Sequence, residues 1–319
     1  MSLPTEFARI ARHFRPLAGT GALDLADDAA LFDPPPGLQL VLAAEAMVAG
    51  VHFLPDDPPD LVARKLLRTN LSDLAAMGAD PLGYLLTVSV PRAAPDAWFA
   101  AFAGGLAADQ AEFSLKLLGG DTTSTPGPIS LSLTILGTVP PGEALRRNGA
   151  RPGDEVWVSG TIGDGALGLL AAQGRLADPD GFLADRYRLP RPRLALGCGL
   201  RGVATACLDV SDGLVQDLGH LCRAGNLAAV IEQQLVPTSA AAAALGGGHV
   251  TRCLTGGEDY ELAFAAPVAQ AAAVMAAGQA AGVRVTRIGY FVAGEPAVRV
   301  MKADGAQLPL ASAGWDHFA

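Results

Sequence analysis

The chain has 319 residues, half of them hydrophobic and 17% charged, with a net charge of −9. That is length for about two domains and enough apolar content for a sizeable core. It lacks the basic stripe that a nucleic-acid partner would require. The longest Ala-rich stretch, residues 268–283, carries Gln270 and Gln279 and falls short of the roughly 20 apolar residues of a membrane span. Residues 1–14 contain Glu6, Arg9, Arg12 and His13 and no apolar run, so no signal peptide is expected. Cys198, Cys207, Cys222 and Cys253 form no CxxC pair, which points to reduced thiols in a cytoplasm.

In chain order, residues 5–16 read as a short helix and residues 38–42 as a strand. Leu61, Leu66, Leu67, Leu71, Leu74 and Ala75 recur at helical spacing over residues 61–77. A strand over 83–90 ends at Pro91, a helix covers 96–113, and a short strand over 114–118 runs into Gly119-Gly120-Asp121. Residues 129–139 alternate as a strand with Ser130, Ser132 and Thr134 on one face. Pro140-Pro141-Gly142 and Pro152-Gly153-Asp154 bracket a loop, and the domain boundary is placed there: 1–150 and 151–319. The second part reads as strands at 155–158, 207–210, 260–265 and 283–290, with helices at 166–173, 214–222 and 269–281. Strands and helices alternate in both parts, so the fold class is α/β, or α+β-like, in two domains.

Five segments put an acid among small residues at the end of an apolar run. They are Ala26-Asp27-Asp28-Ala29, Ala44-Glu45-Ala46, Asn70-Leu71-Ser72-Asp73-Leu74, Gly119-Gly120-Asp121-Thr122-Thr123 and Asp209-Val210-Ser211-Asp212-Gly213. Each alone is explained by a helix cap or a turn. Together, with doubled acids at Asp27-Asp28 and Asp209/Asp212, they suit magnesium, a hard ion that takes carboxylates, water and substrate phosphates. In the last segment a helix follows with Leu214, Val215, Leu218, Leu221 and Cys222 on one face. Ser211 or Asp212 would cap it, and its N-terminus favours a phosphate.

Gly163-Asp164-Gly165-Ala166-Leu167-Gly168 spells G-x-G-x-x-G after a strand. A dinucleotide site is one reading; a Gly-rich loop opening a packed helix is the better one, because Asp164 would face a pyrophosphate. No Walker A sequence occurs, and no Ser/His/Asp, Cys/His or zinc spacing appears. His52 suits a substrate contact or a structural histidine, and Arg146-Arg147 a phosphate clamp or a solvated pair. Gly256-Gly257-Glu258-Asp259-Tyr260-Glu261 suits a site or a solvated turn. Trp315 suits a stacking residue or a tail anchor.

In this order the segments resemble thiamine-monophosphate kinases, within the ATP-binding group that includes aminoimidazole ribonucleotide and selenophosphate synthetases. The resemblance also rests on Val48-Ala49-Gly50-Val51-His52-Phe53-Leu54-Pro55, Gly149-Ala150-Arg151-Pro152-Gly153-Asp154 and Asp316-His317-Phe318, and covers nearly the whole chain. It implies that ATP and thiamine monophosphate give thiamine diphosphate and ADP by direct in-line transfer, without a covalent nucleophile. It implies several Mg2+ ions, with K+ as a further cation. Asp27, Asp28, Glu45, Asp73, Asp121, Asp209 and Asp212 would be metal ligands, Gly120, Asp121, Arg147 and Ser211 would hold ATP, and His52, Glu258 and Trp315 would hold thiamine monophosphate. It further implies a homodimer formed by the N-terminal ATP/Mg domain, with nucleotide in the cleft and the C-terminal domain completing the substrate site. Two departures stand out: Ala26 replaces a glycine, and Ala43-Ala44-Glu45 replaces Ser/Thr-Thr-Asp. They keep two other readings open, a different ATP-using enzyme of the group and a degenerate homologue that binds without turnover.

Overall fold

The structure is a computed structural model that describes residues 6–315. It divides into two compact units, one of residues 1–74 and 80–141, the other of 75–79 and 142–319. The second unit thus takes in residues 142–150 and 75–79, which the sequence-based division put in the first.

The first unit contains α1 (Glu6–Arg9), β1 (Gln39–Val48), α2 (Pro59–Ala76, whose last two residues go with the second unit), β2 (Asp80–Pro91), α3 (Asp96–Phe113), β3 (Lys116–Thr125) and β4 (Ser130–Val139). The strands form a sheet in the order β1-β4-β2-β3, antiparallel except for the β2–β3 pair. β4 shows why one face is covered: Leu131, Leu133 and Ile135 are buried, while Ser132 and Thr134 between them are not. The buried face continues through Tyr84, Leu86 and Val88, and the inward residues of α2 and α3, such as Leu67, Leu71, Phe99 and Phe102, are equally buried. Gln110 of α3 donates to the Tyr84 hydroxyl at 3.0 Å, and Asp109 takes Arg64 and Arg68 from α2. The other face leaves Leu40, Leu42 and Leu85 exposed.

The strand expected to stop at Leu118 continues to Thr125, so Gly119-Gly120-Asp121 lies within it and not in a following loop. The reason is steric. A Cβ at Gly120 would overlap the Leu86 carbonyl of β2, so glycine is what lets β3 stay paired there.

The second unit contains β5 (Glu155–Ser159), α4 (Asp164–Ala172), α5 (Phe182–Arg188), α6 (Leu194–Gly199), β6 (Ala206–Asp209), α7 (Leu214–Gly225), β7 (Ala228–Glu232), α8 (Ala240–Ala244), α9 (Val250–Thr255), β8 (Leu262–Ala266), α10 (Ala271–Ala280), β9 (Val285–Val292) and β10 (Ala297–Met301). Its sheet runs β10-β7-β9-β5-β8-β6, parallel only at β10–β7. Both faces are covered. Val156, Val158, Ala263 and Ala265 pack in one cluster with Leu214 and Leu218 of α7. Trp157, Leu262 and Phe264 pack in another with Leu196 of α6 and Val274 of α10. That is why these strands read as continuous apolar runs without alternation. Among the described residues no helix is long and apolar enough to cross a membrane.

Candidate functional site

In the first unit, Asp27, Asp28 and Asp121 line one cavity of about 620 Å³ with apolar walls that include Phe7, Phe14 and Phe32. The chain reaches Asp27 through Leu23, Asp24 and Leu25, all at positive φ (51°, 58° and 53°). This conformation is costly for residues with a Cβ; the Arg15 guanidinium holds it by donating to the Asp24 carbonyl at 3.0 Å. Asp27 accepts from the Asp28 backbone N–H at 3.0 Å. Asp121 is exposed on β3.

Glu45 is also exposed, but on β1, at the opposite edge of the sheet. Three strand spacings separate the two edges, about 14 Å. Their registers also differ: Glu45 aligns through Leu133 and Leu86 with Gly120, whereas Asp121 aligns through Thr87 and Ser132 with Ala46. By register, Glu45 and Asp121 of one chain therefore face opposite sides of the sheet. Asp73 lies half-buried within α2. His52 accepts the Val48 backbone N–H on Nδ1 at 3.0 Å, while its carbonyl takes buried Lys65 at 2.8 Å. This fixes the turn after β1 and leaves Nε2 as the donor nitrogen.

In the second unit the segment 209–213 joins β6 to α7. The expected Ser211 or Asp212 side-chain cap is absent; Gly213, at φ 126°, is the N-cap residue. Asp217, in the first turn of α7, does the work instead. Its Oδ2 accepts the backbone N–H of Ser211, Asp212 and Gly213 at 3.1, 3.0 and 3.1 Å. Burial pushes the Asp217 carboxyl up to about 7, with Asp209 and Asp212 adding and the N–H groups opposing. Asp209 and Asp212 thus both lie close enough to Asp217 to disfavour its charge.

Residues 256–261 lie against this loop. The Glu258 N–H donates to the Ser211 carbonyl and the Tyr260 N–H to the Val210 carbonyl, both at 2.8 Å. A Cβ at Gly257 would overlap the Ser211 carbonyl, so the Gly-Gly pair is there for close approach. Glu258 itself sits at φ 76°, a strained conformation of the kind found at functional positions. Trp315 reaches the same loop: its N–H donates to the Asp212 carbonyl at 3.0 Å, and its carbonyl takes Gln216 Nε2 at 2.7 Å. Arg147 is exposed. His220 marks its surroundings: burial, then Arg223 and Arg147, hold that imidazole below its ordinary range, while Asp212 opposes them. The structure therefore brings Arg147, Asp209, Ser211, Asp212, Glu258 and Trp315 into one neighbourhood. The Asp316-His317-Phe318 motif lies outside the described residues.

The other two acids of residues 256–261 are not a solvated turn. Asp259 and Glu261 are fully buried. Asp259 accepts the N–H groups of Gly163 and Gly165 at 2.7 and 2.8 Å. The G-x-G-x-x-G segment accordingly spends its helix N-terminus on a carboxylate of its own chain, which removes the dinucleotide reading. Glu261 takes Arg186, Arg193 and the Ser159 hydroxyl. Burial pushes the Asp259 carboxyl up to about 8, against the two N–H donors. The folded chain keeps this proton over a range, from about pH 4 upward, where the unfolded chain has lost it. Asp259 should thus make stability fall as pH rises from about 4 and level off above about 8. Denaturant unfolding at pH 5, 7 and 9 checks this: Asp259→Asn should fall less steeply than the parent, and equal slopes refute it.

Among the described residues no three His, Cys, Asp or Glu side chains group closely enough to hold a metal on their own. Magnesium seldom needs such a cage, since it usually binds through one or two carboxylates and substrate phosphates. The oxygen-only donors Asp27 and Asp121 at one cavity, and Asp209 and Asp212 on one loop, fit that pattern. Asp217, Gln216 and His220 escaped the sequence reading. Asp217 had one usable signal, an acid in the first turn of a helix that follows a Gly.

Both parts of the chain match models of a single family: AIR synthase related protein, N-terminal domain, over residues 26–139 and the corresponding C-terminal domain over 151–301. A thiamine-monophosphate kinase of Caulobacter vibrioides is 47% identical over 98% of this chain and 91% of its own length. A crystal structure of thiamine-monophosphate kinase from Stenotrophomonas maltophilia K279a superposes with a TM-score of 0.81 at 41% identity, over 89% of this chain and 91% of that one. AaThiL complexed with AMPPCP and TMP gives a TM-score of 0.76 at 28% identity, over 96% and 98%. The chain belongs to the thiamine-monophosphate kinase family.

Proposed function

We propose that this chain is a magnesium-dependent kinase that moves the γ-phosphoryl group of ATP onto thiamine monophosphate. A phosphate oxygen of the acceptor attacks the γ-phosphorus in line, the bond to the β-γ bridging oxygen breaks, and ADP leaves as thiamine diphosphate forms. The observation that carries the reading is the 47% identity to a thiamine-monophosphate kinase over 98% of the chain. The acidic loops agree with it, because phosphoryl transfer needs positioning and charge neutralisation more than covalent chemistry.

Bound magnesium would supply that neutralisation. Asp27, Asp28, Asp73 and Asp121 in the first unit, and Asp209 and Asp212 in the second, provide its oxygen ligands; Glu45 serves a different ion from Asp121. Gly120, Asp121, Ser211 and Arg147 hold ATP, Arg147 as a cation toward phosphate. His52 offers an Nε2 donor to the acceptor, Glu258 a carboxylate, and Trp315, 54% exposed, a ring for the cationic thiazolium. The exposed apolar face with Leu40, Leu42 and Leu85 supports a homodimer through the first sheet. Light scattering after size exclusion should give twice the monomer mass. The buried thiols Cys207, Cys222 and Cys253 favour a reducing, cytoplasmic location.

The test is product formation from ATP, Mg2+ and thiamine monophosphate, with and without K+. Thiamine diphosphate should appear and EDTA should abolish it. Ligand-induced thermal stabilisation without product would instead establish a degenerate binding homologue, the reading that Ala43, Ala44 and Glu45 motivate.

A further inference from the structure

Asp217 has no part in the roles assigned so far, yet its geometry is specific. It is 4% exposed and points a single oxygen at three consecutive backbone N–H groups, those of Ser211, Asp212 and Gly213. An ordinary helix cap satisfies one or two donors. Three donors on one oxygen fold the 211–213 backbone around the carboxylate. The N–H groups of this segment are then directed inward, toward Asp217. The carbonyls of Ser211 and Asp212 take the N–H groups of Glu258 and Trp315. One carboxylate thus fixes the backbone that carries a proposed metal ligand.

We propose that Asp217 is a positioning residue for the metal-binding loop: by holding the 211–213 backbone it sets the direction of the Asp212 carboxylate, without itself ligating the ion. This rests on the reading of Asp209 and Asp212 as magnesium ligands. The cost of keeping two buried acids, Asp209 and Asp217, beside half-buried Asp212 argues for a cation as the group that offsets it. Groups that orient metal ligands typically matter by about 10–100-fold in metal affinity.

The test uses the full chain with Mn2+ as a spin probe for the metal, together with AMPPCP, and compares the parent, Asp217→Asn and Asp212→Asn. An amide oxygen is a weaker acceptor than a carboxylate and carries no charge. Asp217→Asn should therefore remain folded by circular dichroism and bind Mn2+ about 10–100-fold more weakly. In turnover its KM for metal should rise while its KM for thiamine monophosphate changes much less; a purely structural role would not split the two. If the parent and Asp212→Asn bind Mn2+ alike, the ligand reading fails. If Asp212→Asn weakens binding and folded Asp217→Asn does not, the ligand reading stands and the positioning role is overturned. Should Asp217→Asn unfold, Asp217→Glu is judged by the same criterion, and unfolding of both variants overturns the proposal in favour of a structural role.

Discussion

Replacing Asp209 with asparagine should remove most of the turnover and at the same time raise the melting temperature. Asp209 is 8% exposed at the end of β6, and its charge helps push the Asp217 carboxyl upward. Without a cation, that proximity is unfavourable for the fold. Asparagine keeps the shape and removes the charge, which relieves repulsion worth ~1 kcal/mol, or about 2–4 °C for a unit of this size. The same change removes a proposed magnesium ligand. Losing ~3 kcal/mol of charge stabilisation in the transition state slows turnover by about a hundredfold or more. Opposite signs in the two measurements are the signature of a residue kept for chemistry at the expense of stability. A melting temperature that drops, or turnover that persists, contradicts this account of the loop.

Glu261→Gln should act in the other direction, on stability first. Glu261 is fully buried and is the shared partner of Arg186 and Arg193, with the Ser159 hydroxyl completing its shell. A neutral amide removes the counter-charge of partly buried Arg193 and leaves buried Arg186 only its longer pairing with Asp164, at 3.9 Å. Breaking a buried charge pair by removing one partner costs about 3–5 kcal/mol. At about 2–4 °C per kcal/mol the melting temperature should fall by around 10 °C. Glu261 also opens the run into β8, three residues after Glu258, so part of the loss should show as a raised KM for thiamine monophosphate at temperatures where the variant is folded. A change of less than ~1 kcal/mol in denaturant unfolding would mean that the two arginines find other partners.

The two variants separate kinds of acid that look alike in the sequence. Asp209 and Glu261 both sit beside apolar residues next to strands. One lies close to another acid, Asp217; the other faces arginines that are eighty or fewer positions away in the chain but were not recognisable as its partners. Arg186 illustrates the difficulty. The stretch 174–193 reads as charged and proline-rich, and its charge suggests solvent. In the fold it contains α5, and Arg186 is 3% exposed. Nothing local distinguishes a buried, paired arginine from a solvated one.

The sequence by itself determined the elements whose packing is periodic. Helix α3 lies where its residues predict, Asp96–Phe113, and the apolar spacing of α2 and the alternation of β4 match their covered faces. Short motifs in a fixed order were enough to indicate the family, because acids among glycines and alanines have few solvated explanations. Only the tertiary structure decided which neighbours each acid meets. It put Glu45 and Asp121 on opposite faces of one sheet, gave the amides of the G-x-G-x-x-G helix to Asp259, and made Asp217 the anchor of the acidic loop. The physical reason is common to all three. A carboxylate's role depends on which donors and charges lie within a few ångströms of it, and those neighbours come from strands and loops far away in the chain.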